Sequence, residues 1–152
     1  FCNKYLSKAD RTFDQMVQAA RSGKQNIVEG HADMATSKES GIKLFNVARG
    51  SLLELLEDYR DYLRVHNMRL WEDYSEEAST MAKLGVEHND PKYFIELAES
   101  RTDSTIANMT IVLIRQAISL TTKYLDRVCE NFSKEGGFRE NMTAIRVNKR
   151  KK

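Results

Sequence analysis

Apolar residues recur every three or four positions along nearly the whole chain, the period of an α-helix. Phe13, Met16, Val17, Ala20, Ile27 and Val28 form one stripe, interrupted at Gly23. Ser7 or Asp10 is placed to cap its start, and Gly30 sits where a left-handed C-cap would end it. A second segment opens at Thr36-Ser37-Lys38-Glu39, where Thr36 and Glu39 have the capping-box spacing. It runs through Phe45, Ala48, Leu52, Leu55, Leu56, Tyr59 and Leu63 to about His66, a rod of about 43 Å. Residues 74–88 read as a more polar helix. Asn89-Asp90-Pro91 then predicts a turn and a fresh start, with Asp90 as N-cap and Pro91 at the first helical position, leading a short helix to about Ser100. The last long helix is expected from Thr102-Asp103 to about Lys134, stopped by Gly136-Gly137.

No period-two pattern persists and no long repeat is visible. The expectation is an all-α, up-and-down antiparallel four-helix bundle, with an irregular helical segment before the last helix. The bundle is expected to occupy residues 1–134, and a basic tail residues 135–152. The chain of 152 residues is long enough for a real core. It opens Phe1-Cys2-Asn3 without a methionine, so its true beginning is expected upstream.

Ile111-Val112-Leu113-Ile114 is apolar on every side of its helix, which predicts burial on every side. Two surfaces fit that demand: a second copy of the chain, or the 70–100 segment folded back. The first is favoured, with Ile111, Ile114 and Ile118 as oligomer contacts. Gly23 and Gly50 inside helices each cost about 1 kcal/mol relative to alanine. That cost is expected to let two helices approach closely, with Asn26, Glu29, Arg49, Ser51 and Glu54 joined in a polar network between them. The alternative at the same place is a nucleic-acid or ligand site containing Arg21, Lys24 and Arg49.

Charge adds a second theme. From Ser133 onward there are seven bases and two acids, a net of +5, whereas residues 1–132 hold 17 bases and 20 acids, a net of −3. A mildly acidic body with a basic tail suggests attraction to phosphate backbones. Arg21, Lys24, Arg139, Arg146, Lys149, Arg150, Lys151 and Lys152 are the candidate contacts.

Catalytic signatures are missing. The residues three positions before His31, His66 and His88 are Val28, Leu63 and Gly85, so the Glu-x-x-His pair of bundle metal sites is absent. Neither a phosphate-cradling glycine loop nor a Gly-x-Ser-x-Gly elbow occurs. No catalytic residue, metal or cofactor is expected, and the protein is read as a non-enzyme. No apolar run approaches the ~20 residues of a membrane span. With only Cys2 and Cys129, far apart, a reducing cytoplasm is the expected compartment.

Arg21-Ser22-Gly23-Lys24-Gln25-Asn26-Ile27-Val28-Glu29-Gly30, followed by Ala48-Arg49-Gly50-Ser51-Leu52-Leu53-Glu54-Leu55, resembles the bacterial four-helix-bundle proteins related to the protein encoded in 23S rRNA intervening sequences. Phe132 to Glu140 looks like the C-terminal suffix of some members. The resemblance implies an antiparallel bundle assembling as a homopentamer. It extends to accessory proteins of retroelements that bind nucleic acid and a reverse transcriptase. Two functions follow as expectations. The first is an oligomeric nucleic-acid-binding protein, with RNA favoured over DNA. The second is an oligomeric protein-interaction scaffold, or an accessory subunit of a partner such as a reverse transcriptase.

Overall fold

A computed structural model of the chain describes residues 1–135, with side chains as far as Asn131. The described residues form six helices and no strand. These are α1 (Cys2–Tyr5), α2 (Arg11–Asp33), α3 (Lys38–Val65), α4 (Glu76–Glu87), α5 (Pro91–Glu99) and α6 (Asp103–Glu135). The all-α bundle and its long helices match the periodic segments, whereas α1 is too short to leave a periodic trace. The Gly136-Gly137 stop and the basic tail lie outside the described residues.

Helix starts follow local chemistry. Asp10 accepts from the Thr12 amide at 2.9 Å, and Asp90 accepts from the Lys92 amide at 3.0 Å with Pro91 in the first turn. The cap of α3 is Ser37, which accepts from the Ser40 amide, and not Thr36. Thr36 is turned back, donating its hydroxyl to the Asp33 carbonyl at the end of α2. Two residues past the end of α3 comes Asn67, the only non-glycine residue with positive φ (51°) among those described. There the Met68 amide reaches the Leu63 carbonyl at 2.8 Å and the Asn67 amide reaches Arg64, which closes a Schellman turn.

α2 and α3 form an antiparallel hairpin. Gly23 lies against Leu52 and Ala48, and Gly30 against Phe45 and Gly41. Gly30 is therefore a close-contact position inside α2, which runs on to Asp33, and not its C-cap. α6 lies on another side of α3, also antiparallel. Tyr62 near the end of α3 donates to Asp103 at the start of α6 at 2.8 Å, and Phe45 near the start of α3 packs on Tyr124. α4 packs on α6, so the order of neighbours is α2, α3, α6, α4.

Two apolar clusters share α6. Met16, Leu55, Leu56, Leu63, Ala107, Ile111 and Ile114 make the larger one, with Ile118 packed against it. Phe1, the N-cap residue of α1, sits beside the Tyr59 and Tyr62 rings, at 5.0 and 4.8 Å. Ala78, Met81, Met109 and Val112 make the second cluster, with Phe94 and Leu97 of α5 over it. The apolar stretch of α6 is thus covered within the chain, by α3 on one side and by α4 and α5 on the other. Ile111 and Ile114 are 2% and 5% exposed. Their assignment to an interface between copies is corrected, because α3 and α2 cover them within the chain, while the 70–100 segment covers Met109 and Val112 on the opposite side of α6.

Buried Asn108 ties that segment down. Its amide nitrogen donates to the Arg69 and Ser104 carbonyls, each at 2.9 Å, and its oxygen accepts from the Trp71 amide at 2.8 Å. Gly85 lets α4 come close to α6 at Leu113 and Gln116, and Gln116 donates to the Ala82 carbonyl at 2.7 Å.

Candidate nucleic-acid interface

Alanine and glycine positions bring α2 and α3 close enough for their flanking polar side chains to meet. Ala19, Gly23 and Gly30 of α2 face Gly41, Ala48 and Ser51 of α3, and all are buried. Beside this seam the Ser22 and Ser51 hydroxyls are 2.8 Å apart. Asn26 donates to the Ser22 carbonyl at 2.9 Å and to its hydroxyl at 3.2 Å. The polar link between the helices therefore runs Asn26–Ser22–Ser51.

That link is smaller than the sequence suggests. Asn26 and Ser51 belong to it. Glu29 is on the outside, accepting from Gln25 at 2.6 Å. Arg49 is half-buried and Glu54 is exposed, and neither bonds to the other members. Ser22 escaped notice although its neighbours drew attention. The available signal was its place one residue before Gly23 and one helical turn before Asn26.

Two shallow grooves meet at this link and share Gln18 and Ser22. One, of about 350 Å³, is lined by Gln15, Gln18, Ser22, Ser51, Glu54 and Asp58. The other, of about 590 Å³, is lined by Gln18, Arg21, Ser22, Lys24, Gln25 and Asn26. The first is acidic. Burial pushes the Asp58 carboxyl up, and the nearby Asp61 and Glu54 charges add to the shift. The second carries Arg21 and Lys24, both exposed and each without an ion-pair or hydrogen-bond partner among the described residues. Cations one helical turn apart beside an amide-rich surface suit a phosphate with an adjoining polar group. The acidic groove, by its charge, disfavours one. The other nominated contacts, Arg139, Arg146, Lys149, Arg150, Lys151 and Lys152, lie outside the described residues.

A third groove, of about 640 Å³, opens between α4, α5 and the start of α6. Trp71, Met81, Leu84, Leu97 and Met109 give it an apolar floor, with Glu76, Glu77 and Arg101 at the polar margin. Sequence reading missed it because its lining comes from separate short segments.

No cluster of three or more histidine, cysteine or acidic side chains capable of holding a metal occurs among the described residues. Among the described residues no helix is long and apolar enough to cross a membrane. Comparison with known proteins finds no match among family models, curated proteins or solved structures.

Proposed function

We propose that this chain is a non-enzymatic, cytoplasmic, oligomeric nucleic-acid-binding protein that prefers RNA to DNA. The observation that carries the reading is the charge split: seven bases against two acids from Ser133 onward, beside a body of net negative charge. The unpaired, exposed Arg21 and Lys24 support it with a second basic surface on α2. Phosphate contacts of this kind attract without reading bases, so binding is sequence-tolerant and steeply salt-dependent. Selectivity, where present, comes from RNA shape or single-stranded loops. Oligomerisation gathers several tails at high effective concentration and raises affinity through avidity.

The apolar-floored groove beside Trp71 favours a second reading, an interaction scaffold or accessory subunit of a protein partner such as a reverse transcriptase. Electrophoretic mobility shift with a structured RNA separates the two. Deleting Arg146–Lys152 is expected to weaken binding at least tenfold and flatten the salt dependence, with helicity unchanged. Neutralising Arg21 and Lys24 is expected to have a smaller effect in the same direction. RNA binding that survives the deletion unchanged overturns the tail's role. No binding at low salt leaves the scaffold reading standing.

A further inference from the structure

Glycine inside a helix is costly, and the structure explains it at Gly30, Gly41 and Gly85, where an added Cβ would stand 3.0 Å or less from a neighbour, whereas at Gly23 it would make an ordinary contact with Leu52 at 3.4 Å. Gly50 is different. Near the middle of α3, it is exposed and has nothing within 4 Å of an added Cβ. The close approach expected there within the chain does not occur. Val47 and Leu53, three positions to either side, are 51% and 46% exposed. Seven positions to either side stand Lys43 and Glu57, both exposed.

This arrangement is self-complementary. Two α3 helices crossing antiparallel, with a two-fold axis through Gly50, place position 47 of each copy opposite position 53 of the other. The same axis places 43 opposite 57. Exposed Asn46 and Glu54, four positions to either side, also face one another, so apolar meets apolar, base meets acid and amide meets carboxylate on both sides of the axis, as an isologous contact requires. Glycine at the crossing lets the two backbones approach more closely than the usual 8–10 Å between helix axes. At an inclined crossing the helices diverge beyond about two turns, so the contact is confined to 43–57. Lys43 now pairs with Glu39 at 2.7 Å and Glu57 with Arg60 at 2.5 Å. These exposed pairs within one helix are weak and exchange readily for partners across an interface.

We propose that the outer face of α3 centred on Gly50 is a homodimer interface, with a second copy of this chain as its occupant. The inference rests on the oligomeric part of the proposed function and gives it a surface and a symmetry. The contact is narrow, so the dimer is of micromolar strength.

Sedimentation equilibrium of the full chain, from about 1 to 200 µM, tests it. The wild type is expected to pass from monomer to dimer in that range. Gly50→Gln blocks the crossing and is expected to stay monomeric with helicity intact, since the space around position 50 is open. Lys43→Glu and Glu57→Lys are each expected to weaken the dimer about tenfold, and the double exchange to restore it to within about threefold. A wild type monomeric throughout overturns the proposal. So do single exchanges without effect, a double exchange that fails to restore, or an assembly that Gly50→Gln leaves intact. RNA mobility shift on the same proteins reports the other reading separately: a dimer that binds no RNA overturns nucleic-acid binding and leaves this interface in place.

Discussion

Gly41 and Gly50 lie on one helix in opposite surroundings. An added Cβ at position 41 would stand 2.9 Å from the Gly30 carbonyl oxygen and 2.8 Å from the Met34 sulfur, whereas one at position 50 meets nothing within 4 Å. Backbone cannot move aside as a flexible side chain can, so Gly41→Ala forces α2 and α3 apart. A loss of about 2 kcal/mol is expected. Gly50→Ala adds helix propensity without a clash, and a gain of about 0.5–1 kcal/mol is expected. Urea unfolding at low micromolar protein checks both, and equal signs would contradict this account. Ser22 teaches the same lesson about polar residues. Its hydroxyl joins Ser51 and Asn26 because helix contact brings it there, while Glu29 and Arg49 point elsewhere.

At the scale of elements, helix existence and helix starts were largely legible. Apolar periodicity and caps are local, and Asp10, Asp90 and Pro91 act on amides within a few residues. The 66–75 connector was not legible, since its anchor is remote. Asn108 on α6 bonds to the backbone at Arg69 and Trp71 from a fully buried position. Nothing in the pattern around Asn108 marks it as different from an ordinary polar residue on a helix. Asn108→Leu removes a donor and an acceptor and leaves the Trp71 amide and the Arg69 carbonyl without their bonds. A loss of about 2–3 kcal/mol is expected, with faster amide exchange at Trp71 and little change along the α2–α3 hairpin. Stability within about 0.5 kcal/mol of wild type would show that water replaces the side chain.

For the whole molecule, the packing of Phe1, Tyr59 and Tyr62 at one end of α3 has a consequence at high pH. Burial, aided by the bond to Asp103, pushes the Tyr62 hydroxyl up to about 12, and burial also pushes Tyr59 up. In the unfolded chain these phenols ionise near pH ~10. Between ~10 and ~12 the folded protein therefore keeps protons that the unfolded chain has lost, so stability present below pH ~10 falls as pH rises through this window. Urea midpoints measured from about pH 9 to 12 should fall, and Tyr62→Phe should shallow the slope. An unchanged slope in that variant would remove Tyr62 from the account. The helical class, most helix starts and the excess of bases after Ser133 were legible in the chain's own order of residues, because period, caps and charge are properties of neighbouring residues. What covers each apolar face depends instead on contacts between distant segments. Ile111 and Ile114 meet α3 within the chain, and the 70–100 segment covers the opposite side of α6. Gly23 and Gly50 look alike as letters, yet one is a helix contact and the other an open surface. Periodicity says that a face is apolar; the path of the distant chain says what meets it.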